Sequence, residues 1–260
     1  MPVQQKKNAA ILWSLLFLPL VLISLLNMPV AFANRRSNSA INKNEAAFQQ
    51  HVIADSTLSE DNNTVANTYA NMHLFDLGLS KQAFEYAMKG FNYLLQRGKL
   101  ANDNIISIVD FSLSSSKKRL FVIDLNEQKV LYNTYVAHGV NSGKEYANQF
   151  SNNPSSYQSS LGFYETKSTY LGAHGYSLKL DGLEKGINDN ANSRDIVIHA
   201  ADYVNESLIK TQGYIGRSWG CPALPEKLHK PIIDKIKNGT CLFIYSHNNN
   251  YLQKSKIINA

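Results

Sequence analysis

The chain is poor in the residues that mark several common chemistries. Two cysteines in 260 residues cannot frame a disulfide scaffold, so stability rests on an apolar core, for which 44% hydrophobic residues are enough. Long Lys/Arg runs are missing, and aromatic residues do not interleave with basic ones. The net charge of +6 therefore reads as a solvated basic surface, and no nucleic-acid partner is expected. No His-Glu-x-x-His or comparable ligand spacing occurs. That argues against a metal hydrolase built on His138, His174, His199 and Asp residues. The Q-x-x-x-x-x-C-G-S-C-W pattern of papain-like proteases is absent, and here a histidine precedes the candidate cysteine. There is no internal repeat.

What is present begins with a targeting signature. Lys6 and Lys7 precede an apolar stretch from Ala9 to Leu26, and Ala31-Phe32-Ala33 offers small residues at a cleavage point. Residues 1–33 read as a signal peptide cleaved after Ala33. The alternative is an uncleaved anchor, which would be the chain's one membrane attachment. Either reading exports the body of the protein to the periplasm or cell envelope. Residues 34–72, rich in Asn, Ser, Ala and Gln, read as a flexible lead-in.

Residues 73–250 read as one β-rich α+β domain, expected to be monomeric. Ser80 caps a helix whose Phe84, Ala87, Met88, Phe91, Leu94 and Leu95 share a face, and Gly98 ends it. Apolar runs predict strands over Ile105–Phe111, Arg119–Leu125, Lys129–Ala137, Phe163–Lys167, Tyr176–Leu180, Asp195–His199 and Cys241–Tyr245. Between Gly139 and Ser160 aliphatic residues nearly vanish, and loops of that length in compact domains are usually functional. A short helix is predicted over Leu228–Lys237, with Pro231 arguing for a late start or a break.

The two cysteines stand in unlike contexts. Cys241 lies in an apolar run, where Cys behaves as a small hydrophobe. Cys221 lies in Gly216-Arg-Ser-Trp-Gly-Cys-Pro222, a turn of small and special residues. Gly220 permits close backbone approach. Pro222 and Pro225 lead into the helical pattern, so a helix N-terminus is expected to favour the thiolate. The N–H groups of Trp219, Gly220 and Cys221 are candidates for an oxyanion hole. His199, at a strand end, is the candidate base. The competing reading is a non-catalytic wall-binding module with Cys221 bonded to Cys241.

Taken together, Ile198-His199-Ala200 and Arg217-Ser-Trp-Gly-Cys-Pro222 resemble the H-G…S-x-G-C signature of L,D-transpeptidases, the YkuD-type peptidoglycan enzymes. Ser160-Leu-Gly-Phe163 is similar to that family's T-P-x-G-x-F stretch. Ala137-His-Gly139, Ala173-His-Gly-Tyr-Ser177, Gly186-Ile-Asn-Asp189 and Cys-Pro-Ala-Leu-Pro225 resemble a divergent branch. The resemblance spans about residues 77–246. It implies that Cys221 attacks peptidoglycan stem peptides with His199 as base and Ser218 and Gly220 around the thiol. A thioester would then pass to an amine, forming a cross-link, or to water, as in an L,D-carboxypeptidase, and the resemblance implies no metal or organic cofactor.

Three departures from the family pattern bear on substrate recognition. Trp219 replaces a histidine, Ala200 replaces a glycine, and Arg217 precedes the cysteine where an Arg usually follows it. His174 and His138 are candidates to replace the missing histidine or to hold substrate. Arg194 and Asp189 either hold the loop or pair with substrate. Tyr170, Tyr176 and Trp219 are candidate groove walls.

Overall fold

The computed structural model describes residues 64–260. The signal-peptide reading and most of the lead-in fall outside the described residues. No helix among the described residues is long and apolar enough to cross a membrane.

Two helices precede the sheet: α1 (residues 64–71) and α2 (Lys81–Gln96). Ser80 caps α2 by accepting a hydrogen bond from the Ala83 N–H at 3.2 Å, which satisfies one of the helix's orphan donors. Ala83, Phe84, Ala87, Gly90, Phe91 and Leu94 form its buried stripe. Gly90 marks the closest approach, since a β-carbon there would stand 2.0 Å from Phe163 Cζ. A mid-helix glycine costs about 1 kcal/mol of helix propensity, and here it lets the helix lie directly on the sheet.

That sheet has eight strands: β1 (Ile105–Asp110), β2 (Leu120–Asp124), β3 (Lys129–Thr134), β4 (Gly162–Gly172), β5 (Gly175–Gly182), β6 (Val197–Ala200), β7 (Ala223–Leu224) and β8 (Cys241–Tyr245). Their order is β3-β2-β1-β8-β4-β5-β6-β7. The β1–β8 and β6–β7 pairs are parallel and the rest antiparallel. β1, β2 and β8 are buried along their whole lengths, as continuous apolar runs require. Phe163 on β4 faces Phe243 on β8 in register, with stacked rings 4.2 Å apart. The domain is α+β, as expected.

The remaining helices are α3 (Glu206–Gln212), α4 (Glu226–Ile236) and α5 (Asn249–Lys254). α4 contains Pro231 without a break. Its buried Ile232, Ile233 and Ile236 hold it on the sheet, and packing outweighs the one lost hydrogen bond. At both ends the packed domain runs past the expected boundaries. Residues 64–71, inside the stretch read as a lead-in, are helical, and Tyr69 and Met72 are buried. Tyr251, Ile257 and Ile258, beyond residue 250, also belong to the core. Both cysteines are free thiols, so the Cys221–Cys241 disulfide reading is not supported.

Candidate active site

The short parallel β6–β7 pair builds the site. Its register sets His199 beside Ala223 and Ala200 beside Leu224, so the turn carrying Cys221 runs alongside the strand carrying His199. Cys221 and His199 then line one cavity of about 560 Å³. Tyr170, Ala173 and His174 from the β4–β5 hairpin, Arg194 to Val197, Tyr203, and Arg217 to Trp219 complete its wall.

The turn before Cys221 is held by its own groups. Ser218 Oγ–H donates to the Cys221 carbonyl at 2.6 Å and accepts from the Gly220 N–H at 3.1 Å. Ser218 therefore shapes the turn from within. The bond also occupies one of the three N–H groups expected for an oxyanion hole, leaving those of Trp219 and Cys221. Gly220 has φ +125°, and a β-carbon there would meet the Gln158 carbonyl oxygen at 2.8 Å, so no other residue fits this backbone. Ser159 pins the Asn/Ser-rich loop to the same turn: its Oγ accepts from the Gly139 N–H and donates to the Gly220 carbonyl, each at 3.0 Å.

The Cys221 thiol accepts from the Val197 N–H at 3.5 Å and donates to the Asp195 carbonyl at 3.6 Å. Asp195 adopts the left-handed conformation, φ 53°, which turns that carbonyl toward the sulfur. Burial raises the thiol's pKa above its ordinary value, against the opposing pull of the Val197 N–H and the Arg194 charge. The depressed thiolate expected from a helix terminus is therefore not found. β7 separates Cys221 from α4, and desolvation outweighs the local donors.

His199 Nδ1 lies 2.7 Å from the Ala200 carbonyl, to which it donates as the N–H tautomer. That leaves Nε2 as the basic nitrogen. Burial lowers the His199 pKa, so the ring is neutral near pH 7. His174 stacks on it, with centroids 4.4 Å apart at 23°. No hydrogen bond joins Cys221 to His199 among the described residues.

The other candidates divide. Trp219 is 76% exposed and packs beside Tyr157 at 5.7 Å, which makes it a wall of the cavity and not a core residue. Arg217 lines the cavity and donates to the Gly143 carbonyl at 3.3 Å. Arg194 spends its guanidinium on Ser151, Ser156, Gln158 and Ser160, and Asp189 accepts from Asn152 and Gly186. Both hold the loop. Tyr176 lies outside the cavity, donating to Asp234 on α4 at 2.7 Å. His138 is buried and does not line the cavity. Arg119 Nη2 donates to its Nδ1 at 2.7 Å, and its Nε2 faces the Gly143 carbonyl at 3.3 Å. Burial and the Arg119 charge lower the His138 pKa to about 3.

Tyr203 was not singled out by sequence. It lies between an apolar strand and a polar helix, and nothing in its spacing distinguishes it. Burial and then the charge of Cys221 push its phenol up to about 12. Among the described residues, no group of three His, Cys, Asp or Glu side chains is placed to hold a metal ion.

Several solved structures are similar to this chain at low identity. An L,D-transpeptidase from Mycobacterium smegmatis is 12% identical with a TM-score of 0.34, over 55% of this chain and 59% of that one. The helical cell shape determining protein of Campylobacter jejuni is 12% identical with a TM-score of 0.38, over 63% and 57%. An L,D-transpeptidase from Xylanimonas cellulosilytica is 14% identical with a TM-score of 0.32, over 69% and 93%. The chain thus spans less than two thirds of the first two proteins. No match was found among curated proteins. Residues 76–245, which contain every residue of the cavity, match the L,D-transpeptidase catalytic domain, and the chain belongs to that family.

Proposed function

We propose that this protein is an exported acyl transferase acting on peptidoglycan stem peptides, with Cys221 as nucleophile and His199 as general base. One observation carries the reading. The β6–β7 register brings to one cavity a cysteine thiol and an imidazole whose Nδ1 is already committed to a carbonyl. Both groups rest in their neutral forms. When a substrate carbonyl arrives, the Cys221 proton passes to His199 Nε2 as sulfur attacks the carbonyl carbon. The Trp219 and Cys221 N–H groups donate to the developing oxyanion. The imidazolium then gives its proton to the leaving amine, and a thioester on Cys221 remains. An acceptor amine, deprotonated by His199, attacks that thioester to form a new amide and restore the thiol. Water in the amine's place trims the stem.

His174, Arg217, Trp219, Tyr170 and Tyr203 form the substrate wall in this reading. The testing experiment is mass spectrometry of the purified protein and of muropeptides after incubation together. An acyl adduct on Cys221, with a cross-linked or shortened stem, is the expected result. Product formation undiminished in Cys221→Ala would overturn the proposal.

A further inference from the structure

A second cavity, of about 570 Å³, lies at the other end of β5. Strand β5 spans Gly175–Gly182. Gly175 adjoins His174 of the thiol cavity, and Gly182 lines the second cavity. Seven rises of ~3.3 Å from Gly175 to Gly182 place the two cavities about 23 Å apart along the strand. Arg97, Lys99, Lys185, Lys254 and Lys256 line this second cavity from the segment that follows α2, from the segment after β5, and from α5 and its C-terminal flank.

None of these five cations is neutralised. Among the described residues, the lysines in ion pairs are Lys81, Lys167, Lys230, Lys235 and Lys237. The one carboxylate lining the cavity, Glu184, is buried and committed elsewhere. It accepts from the Phe163 N–H at 2.9 Å, from the Tyr251 hydroxyl at 3.0 Å and from Ser255. Five like charges drawn to one concavity repel each other, and an anion placed among them relieves that repulsion.

The surroundings narrow the anion's class. The large exposed apolar side chains of the domain are Phe75, Leu77, Val140, Tyr146, Tyr157, Tyr170, Leu171 and Trp219, and none lines this cavity. A membrane surface would want such a wedge beside the cations. A single-stranded nucleic acid would want an open aromatic face. Here Tyr93 is covered by the Arg97 guanidinium, 4.4 Å above its ring.

We infer that the basic cavity is a second, non-catalytic binding site for carboxylate-bearing peptide stems of the wall polymer. It would hold one stem while another occupies the thiol cavity. The inference rests on the proposed peptidoglycan substrate for its choice of anion. A polymer presenting carboxylates at intervals engages both sites at once, and the second contact raises the effective concentration of stems at Cys221. A soluble single stem, too short to reach both, gains nothing.

The test compares the full chain with its K185Q/K254Q/K256Q variant, adding Cys221→Ala as a binding reference. Pelleting with purified peptidoglycan sacculi between low and moderate salt reads binding without turnover. The triple variant should bind about tenfold more weakly and lose most of its salt dependence, while Cys221→Ala binds as the parent does. Iodoacetamide labelling of Cys221 and turnover of soluble muropeptides should be unchanged in the triple variant, which also shows that it is folded. Equal pelleting of parent and triple variant overturns the inference. So does lysine-dependent retention on phosphatidylglycerol vesicles that exceeds retention on sacculi. If no protein turns over muropeptides yet the pelleting difference stands, the catalytic reading fails and the second site remains.

Discussion

His138 and His199 flank the turn that carries Cys221 and have been put to opposite uses. His138 is fully enclosed and both its ring nitrogens are engaged, one by Arg119 and one facing the Gly143 carbonyl. Its own carbonyl accepts from the Ser218 N–H at 2.9 Å, so the residue braces the turn through its backbone. His199 has one nitrogen committed and one free in the cavity. Residue type and proximity to the cysteine do not separate the two. What separates them is the fate of the second nitrogen, which faces the Gly143 carbonyl in His138 and the cavity in His199.

The sharpest way to break this contrast is to remove each ring in turn. His199→Ala should lower muropeptide turnover about 10²–10⁴-fold, the range for loss of a general base, with little change in melting temperature. His138→Gln should reverse the pattern, lowering the melting temperature while turnover of the folded protein stays within a few-fold. Equal kinetic loss in both would show that the buried ring has a chemical role after all.

Cysteine offers a second contrast of the same kind. Cys221→Ala should abolish turnover and leave the fold intact. Cys241→Ser should keep turnover but cost about 1–3 kcal/mol of stability by placing a hydroxyl at the fully buried first position of β8. Denaturant titration and a turnover assay on both proteins would check this.

Acid stability isolates the buried histidine. Its folded pKa of about 3 lies below the unfolded value, so between those values only the unfolded chain takes up the proton. The histidine's contribution is whole above about pH 6.5 and is lost as pH falls toward 3, by up to about 1.4 kcal/mol per unit. His138→Gln should flatten that part of the stability profile. An unchanged slope would mean that other groups dominate it.

The smallest expected effect concerns the pH dependence of the thiol. Because burial raises the Cys221 pKa and lowers that of His199, labelling by iodoacetamide should climb only above about pH 8.5, the ordinary thiol range. Turnover should keep its acid limb below about pH 6.5, the ordinary histidine value. A labelling profile already high at pH 6 would reveal a resting thiolate and contradict the neutral pair.

Much of this could be read from sequence where one physical signal acted alone. The β8 limits, Cys241–Tyr245, agree residue for residue with the apolar run, because a strand buried on both faces needs nothing more. The start of α2 was equally plain from Ser80 and the stripe behind it. By contrast α3 buries no side chain, so it leaves no apolar period, although Asn205 caps it and Gly213 ends it in the left-handed region. The tight turn before Cys221 was legible from Gly220. The roles of His138, Arg194 and Tyr176 were not, since each depends on a partner far away in sequence. Asp195 read as the first residue of a strand, yet its positive φ is what aims a carbonyl at the thiol.

The contact between Gly90 and Phe163 bears on how this domain tolerates mutation. Phe163 is fully buried and stacked on Phe243, so it cannot swing aside for a new methyl group at position 90. α2 would have to lift from the sheet, uncovering the apolar stripe it shares with β1 and β8. In a saturation screen scored on protein abundance, position 90 should therefore admit almost nothing, while the exposed Trp219 beside the thiol admits nearly everything. Scored on wall chemistry, both positions would look constrained. Only the pair of screens separates a residue that the fold requires from one that the substrate requires.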